Sequence, residues 1–422
     1  MTLVRNHRLP LSGNKQLFWV LGLLIVSACS PKVQPVTKTA PPKAAQPVTT
    51  VPQSATTPAK PAGTVSGKTS AIAMLLPFNL DKLNSLKGYN KADLKKANIA
   101  IDYYQGFRLA LDSLTNLGYN YRLQLFDTKD EPGYTHSLST NPAIRNSNLI
   151  VGPVFPEGIK SFTGRPASVN KPLLSPLSPA SPAEFGNPNL ITVNPPLEYH
   201  AWHAARYISK VLRAKRVFVL KSGFSEDNKY TVPFQKFIDS LGRKKVRVIN
   251  LNVVRGKLTP LLAQLSKTEE NVFMVPSVNQ QFLMVTMRSL DTLRKNYPVT
   301  VFGHPNWDKF AFLKADLLQR LKVHITAAER VNYRAPATIT FIKAYRKHFN
   351  SEPSTYAYKG FDDGLYFGQL LAQDNNELNH LDRHNYTALH NGFSFEKKPG
   401  LGWVNTHVSI LKYANYELRL VE

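Results

Sequence analysis

The sequence predicts an α/β fold of two lobes, each built on a parallel sheet, with a cleft between them. Three observations lead there. Short apolar runs alternate with segments of helical period over residues 70–422. The alternation comes as two successive series, broken at Pro195-Pro196. The stretch is also too long for one small core and suits two packed lobes. Ligands of open α/β sheets lie beyond the carboxyl ends of the strands, so a cleft between two such lobes is the expected binding site.

The first series opens with Ala71–Leu76, an apolar run of strand length. Asp102–Leu117 reads as a helix, because Tyr104, Phe107, Leu111 and Leu114 recur at helical spacing. Tyr121–Phe126, Leu149–Val151, Lys171–Ser175 and Leu190–Val193 read as further strands, and Leu149–Val151 ends at Gly152-Pro153. In the second series a helix over Glu198–Leu212 precedes strand Arg216–Leu220, and one over Tyr230–Leu241 precedes Val246–Val253. Leu258–Leu265 precedes Asn271–Val275, and Gln280–Lys295 precedes Val299–Phe302. Strands separated by helices of this length make βαβ units, hence parallel sheets. The tail, Gly392–Glu422, alternates apolar positions such as Val408, Ile410 and Leu411 and reads as hairpin-like.

Ahead of these series the chain carries export signals. Arg5, Arg8 and Lys15 precede the apolar stretch Leu17–Val26, which runs into Val26-Ser27-Ala28-Cys29. A basic segment, a short apolar stretch and small residues at the cut mark a secretory signal peptide, here 1–28. The apolar stretch is well short of the roughly 20 residues that span a bilayer. The last four residues resemble a lipobox, after which the cysteine is acylated. Cys29 is the only cysteine, so no disulfide can form within the chain. Residues 29–69 then form a tether rich in Pro, Thr, Ala and Lys without an acid. Such a segment buries too little apolar surface to offset its ordering entropy, and it could reach on the order of 100 Å if fully extended. An aspartate after the acylated cysteine retains lipoproteins in the inner membrane of well-studied envelopes. Ser30 stands there instead, which points to the outer membrane with the folded part facing the periplasm.

Several segments, in order, resemble the type 1 periplasmic binding proteins, in the branch of leucine/isoleucine/valine-type receptors. Ala71-Ile72-Ala73-Met74-Leu75-Leu76-Pro77-Phe78 is similar to that family's first strand, and Tyr104-Gln105-Gly106-Phe107-Arg108-Leu109-Ala110-Leu111 to the helix after it. Phe126-Asp127-Thr128, Leu149-Ile150-Val151-Gly152-Pro153 and Pro172-Leu173-Leu174-Ser175-Pro176-Leu177-Ser178 follow its successive strand ends. Phe341, Tyr345, Phe349 and Pro353, then Tyr356-Ala357-Tyr358-Lys359-Gly360-Phe361-Asp362, resemble its late helix, loop and helix start. The resemblance implies two Rossmann-like lobes joined by three crossovers: 70–195 plus 330–385 as lobe 1, and 196–329 plus 386–422 as lobe 2.

In such receptors, small hydroxyl residues and backbone groups at the lobe 1 strand ends hold the ligand carboxylate. The resemblance places Phe155, Ser175 and Ser178 there. For lobe 2 it gives Ser222, Tyr230, Ser277 and His304, each beyond a strand end. Serines beside prolines equally serve to cap turns. Amino-acid receptors tend to place an acid after the last of these strands. Here Gly303-His304-Pro305-Asn306-Trp307 offers none before Asp308. An ammonium buried without a countercharge is costly, which argues against an amino-acid ligand.

The formal net charge is +25, and residues 196–328 hold 22 Lys/Arg against 9 Asp/Glu. Arg213, Lys215 and Arg216, and Arg243, Lys244, Lys245 and Arg247, cluster at neighbouring strand starts. Such asymmetry favours an anionic partner at lobe 2, and the solvated basic face of a soluble domain reads the same way. No nucleic-acid-binding motif is present. A phosphate loop, a His-Glu-x-x-His pair, paired cysteines and a Gly-x-Ser-x-Gly elbow are all absent, so the chain reads as no enzyme, with no cofactor and no metal. His200 and His203 share a helix face without a third ligand nearby, and Asp362-Asp363 reads as a helix N-cap rather than a catalytic pair. Two roles remain. The leading one is capture of a small solute between the lobes, as in ABC-importer receptors. The other is an envelope scaffold, or activator of a peptidoglycan synthase, that keeps the fold without transport.

Overall fold

Two seven-stranded sheets carry the chain. The computed structural model describes residues 68–82, 88, 90–164, 169–242, 245–384, 386–390 and 392–422, all in one compact unit. Cys29, the signal-like segment, the tether up to residue 67, Arg243 and Lys244 lie outside the described residues, and Thr69, read as the end of the tether, opens the first strand.

In the first sheet β1 (Thr69–Leu76), β2 (Asn120–Asp127), β3 (Leu149–Val151), β4 (Leu173–Ser175) and β5 (Leu190–Thr192) run parallel. In the second, β6 (Arg216–Lys221), β7 (Arg247–Asn252), β8 (Asn271–Val275), β9 (Val299–Gly303) and β10 (His324–Ala327) do the same. The orders β5-β4-β3-β1-β2 and β10-β9-β8-β6-β7 are one winding used twice. The central strand β1 is apolar on both faces, as a strand covered on both sides must be. Ile72, Met74 and Leu76 enter one core, and Ala73 and Leu75 enter another.

Helices α1 (Lys91–Thr115), α2 (Pro132–Leu138), α3 (Pro142–Arg145) and α4 (Pro156–Thr163) belong to the first series. The second series contributes α5 (Leu197–Arg206), α6 (Asn228–Leu241), α7 (Gln280–Leu293) and α8 (Ala315–Arg320). After β10 the chain returns to lobe 1 with α9 (Pro336–Phe349) and α10 (Thr355–Gln373), and α10 packs along α1. The seam is glycine-lined because the backbones approach closely. A Cβ on Gly106 would overlap the Ala357 carbonyl, and one on Gly360 the Tyr103 carbonyl.

Several boundaries differ from those read in the sequence. Helix α1 starts at Lys91 rather than Asp102, with the Asn90 side chain accepting from the Ala92 N–H at 2.8 Å. Its first turns expose Lys91, Lys95 and Asn98, so the apolar period becomes visible only further on. Residues Thr259–Gln264 form a 3-10 helix, begun by Pro260, instead of an α-helix over Leu258–Leu265. The helix expected over Glu198–Leu212 is α only to Arg206 and continues as a π-helical stretch, Tyr207–Val211. Asp362 is not an N-cap. Ser354 caps α10, and Asp362 lies inside it, accepting from the Leu389 and His390 N–H groups at 2.9 and 2.8 Å.

The tail corrects the lobe assignment of 386–422. After a small ribbon of β11 (Tyr386–Thr387) and β12 (Gly392–Phe393), the hairpin β13 (Phe395–Lys398) and β14 (Gly402–Asn405) joins the first sheet, β14 running parallel to β5. Only β15 (Ser409–Ala414) and β16 (Glu417–Leu420) extend the second sheet, with β15 antiparallel to β10. The cause is packing. Phe393, Phe395 and Trp403 complete an aromatic core with Tyr366 and Phe367 of α10, whereas Ile410 and Leu411 enter the lobe 2 cores.

Candidate functional site

Three stretches join the lobes: 193–196, 328–335 and 406–408. Buried side chains tie them to one another. The Asn405 amide donates to Val193 O and Gly392 O, both at 2.9 Å, and its oxygen accepts from the Ser394 and His407 N–H groups. From α10, Lys359 forms an ion pair with Glu329 and donates to Asn194 Oδ1 at 3.2 Å. His390 Nε2 lies 3.6 Å from the same Glu329 carboxylate, and its carbonyl accepts from the Arg330 N–H at 2.8 Å. Burial pushes the Glu329 carboxyl up, but the Lys359 and His390 charges outweigh it and the net shift is downward. From lobe 2, α5 adds His203 Nε2, 3.0 Å from Thr406 O, and His200 Nδ1, 2.9 Å from Thr326 Oγ1.

The predicted lobe 1 residues sit at strand ends with different fates. Phe155 occupies the N-cap position of α4, packs against the core and has Lys96 Nζ 5.9 Å from its ring centre. Ser178 Oγ accepts from the Ala180 N–H at 3.2 Å, a turn cap. Ser175 ends β4, is 2 % exposed, and its hydroxyl has no hydrogen-bond partner among the described residues. Thr192, its register partner on β5, is 1 % exposed and equally unpartnered. Beyond β1, Asn79 is fully buried in a left-handed conformation, φ 52°, and neither atom of its amide is partnered. A buried polar group left unmet costs about 1–3 kcal/mol. Asn79 and Thr192 were not singled out in the sequence. Their only signal was position near a strand end.

The lobe 2 residues are satisfied locally. Ser222 gives its N–H and its hydroxyl to Asp227, at 2.6 and 2.8 Å. Ser277 Oγ accepts from the Asn279 N–H at 3.2 Å, and its carbonyl accepts from Trp307 Nε1 at 3.0 Å. His304 caps the following 3-10 turn, its Nδ1 accepting from the Asn306 N–H at 3.1 Å. Tyr230 is 1 % exposed and belongs to the core of α5, α6 and β6. Its ring lies 6.0 Å from His304 and its hydroxyl 3.5 Å from His200 O. Tyr230 and His304 therefore come together, while Ser277 is held through Trp307 and Ser222 stays with its own turn. Burial holds His304 down to about 4 and His200 to about 3, so both are neutral and neither offers a charge to a ligand.

Two pockets lie elsewhere. One of about 280 Å³ is lined by Leu94, Lys95, Ile99, Asp102, Ser354 and Tyr356, among others, on lobe 1. The other, about 10 Å³, lies near Ser70 and Asn376. None of the seven predicted residues borders either. Among the described residues no group of three or more His, Cys, Asp or Glu is placed to hold a metal ion, and no helix is long and apolar enough to cross a membrane.

Two lobes of one winding, joined by three stretches and closed by a shared tail, define the fold of the type 1 periplasmic binding proteins. A putative branched-chain amino acid ABC transporter protein from Rhodospirillum rubrum is similar at TM-score 0.58 and 11 % identity, over 84 % of this chain and 100 % of that one. An ABC transporter substrate-binding protein from Desulfitobacterium hafniense, solved with Leu, is similar at TM-score 0.50 and 15 % identity, over 84 % and 100 %. The C-domain of LpoA from Haemophilus influenzae, a regulator of PBP1A, is similar at TM-score 0.55 and 14 % identity, over 84 % and 100 %. No protein-family model and no curated protein sequence matches the chain. At these identities the likeness establishes the fold, which serves binding proteins and a regulator alike.

Proposed function

We propose that the chain is a non-catalytic lipoprotein of the cell envelope, acylated at Cys29 and facing the periplasm from the outer membrane, that engages another envelope protein as a scaffold or activator. The observation that carries this reading is the clamp on the joining stretches. A solute receptor works by hinge closure. Here a change of lobe angle strains Lys359, which grips 193–196 and 328–335 at once, and Asn405, which grips 193–196 and 406–408. Removing one partner of a fully buried ion pair costs about 3–5 kcal/mol, and separating Lys359 from the half-buried Glu329 costs a part of that. The strand-end side chains of Ser178, Ser222, Ser277 and His304 are committed to their own turns, and the segment 304–307 after β9 carries no acid to meet an ammonium. Both features fit a surface-engaging protein.

A second reading, capture of a small solute for an ABC importer, is favoured by Asn79, Ser175 and Thr192, whose buried polar groups await partners. Thermal unfolding against amino acids, peptides, nucleosides and wall fragments separates the two. A solute at about 100 times its Kd stabilises the native state by about 2.7 kcal/mol. The scaffold reading expects no shift across the panel. A shift abolished by Ser175→Ala would replace it with the receptor reading.

A further inference from the structure

The amino ends of β6 and β7 carry a surface that the proposed function leaves unused. After the π-helical stretch the chain turns sharply. The Leu212 N–H donates to Tyr207 O at 3.0 Å, the Ala214 N–H donates to Ile208 O at 3.1 Å, and Arg213 takes a left-handed φ of 51°. Tyr207 and Ile208 go into the lobe 2 core, while Val211 and Leu212 are left 49 % and 37 % exposed. Lys210, Arg213 and Lys215 are exposed around them. The neighbouring strand adds more charge at the same end. Arg216 and Arg247 are register partners, the Arg247 N–H donates to Lys215 O at 2.9 Å, and Lys245 is exposed just before it.

Some of this charge is answered. Lys215 pairs with Glu269 at 2.7 Å, and Arg216 donates to Gln264 O at 2.6 Å. Among the described residues no carboxylate pairs with Lys210, Arg213, Lys245 or Arg247. Like charges gathered at one strand end repel one another until an anion meets them. An acidic protein would match the charges. A bilayer matches the charges and also the two aliphatic side chains at the tip of the turn, because interfacial anchors set apolar groups into the headgroup boundary and surround them with cations.

We infer that Lys210, Val211, Leu212, Arg213, Lys245 and Arg247 dock lobe 2 onto an anionic lipid surface. The inference goes beyond the proposed function and does not depend on it. An acyl anchor at one point leaves the folded part free to turn, and this second contact would fix which face looks away from the membrane.

The test uses the mature chain from residue 29 carrying Cys29→Ser, so that neither the signal peptide nor an acyl group contributes, sedimented with phosphatidylglycerol vesicles and with phosphatidylcholine vesicles. Binding to the anionic vesicles, weakened by salt, is expected to fall at least about tenfold in the Lys210→Glu, Arg213→Glu, Lys245→Glu, Arg247→Glu variant. The Val211→Ser, Leu212→Ser variant keeps every charge and should bind about threefold more weakly. It also tests the surface independently should the charge reversals disturb folding. Equal binding to both vesicle types, or unchanged anionic-vesicle binding in both variants, would overturn the inference. So would charge reversals that abolish capture of an acidic protein while leaving vesicle binding intact.

Discussion

The two lobes share one winding and differ in how they treat polar groups. Lobe 1 buries carboxylates and leaves some hydrogen-bonding capacity open at its strand ends: Asp363 accepts from Tyr103 at 2.7 Å, and Asn79, Ser175 and Thr192 lack partners. Lobe 2 relies on buried histidines held neutral and closes its strand ends with local caps. His324 stacks on Phe302 at 4.9 Å with burial holding it down to about 4, alongside His200 and His304. One architecture thus supports two chemistries. Lobe 1 leaves polar groups unpartnered at its strand ends, lobe 2 caps its strand ends and leaves hydroxyls unpartnered only on helices, at Thr231 and Thr286 among the described residues, and side chains at the joining stretches bond one stretch to the next.

The largest effect should come from the lobe 1 seam. Gly106→Ala forces a methyl group into the Ala357 carbonyl, where neither backbone can yield, and should cost more than about 3 kcal/mol or prevent folding. Urea unfolding measures it, and a loss below about 1 kcal/mol, or the gain of about 1 kcal/mol that Gly→Ala brings at an exposed helix site, would show that α1 and α10 are not locked as described.

Acid should break lobe 2 before lobe 1. The folded pKa values of His200, His304 and His324, about 3 to 4, lie below the ordinary 6.5. The unfolded chain takes up protons that the folded lobe refuses, so their contribution is complete above about pH 6.5 and falls as pH drops towards about 4. Between about pH 7.5 and pH 5.5 the loss should reach several kcal/mol. Amide exchange should then rise first in β6–β10. Glu329, held below the ordinary carboxylate value, loses its contribution only at lower pH, below about 4.5. Simultaneous loss of protection in both lobes at mild acidity would contradict this division.

Lys359→Met should cost about 1–3 kcal/mol, because it leaves the half-buried Glu329 carboxylate without its lysine partner. Adding Glu329→Gln should restore part of that loss, which a double-mutant cycle in urea would read. Smallest of all, Ser175→Ala should raise stability by about 1 kcal/mol, since it removes a buried hydroxyl that is unpartnered in the fold.

Much of the fold was legible because hydrophobic period and turn residues are local. The strands of both series, the break at Pro195-Pro196 and the strand-end positions could be read from neighbouring residues. What could not be read depends on partners far away in sequence. The tail hairpin β13–β14 goes to lobe 1 because of aromatic contacts with α10, and alternation within the tail says nothing of which sheet it joins. The Lys359–Asn194 contact spans 165 positions and the Asn405–Val193 contact 212. Lys359 reads in sequence as one more exposed helix lysine. Whether a strand-end serine caps its turn or awaits a ligand depends on rotamer and burial, which spacing does not encode.

The most direct test of the clamped hinge is the distance between spin labels on exposed positions of the two lobes, Tyr134→Cys and Phe224→Cys, in a Cys29→Ser background. The account predicts a single narrow distance, unmoved by amino acids, peptides, nucleosides or wall fragments, that broadens when Lys359→Met is added. A distance in the unmutated hinge that is already broad, or that shortens by several ångströms with a solute, would contradict it and make the chain a closing receptor.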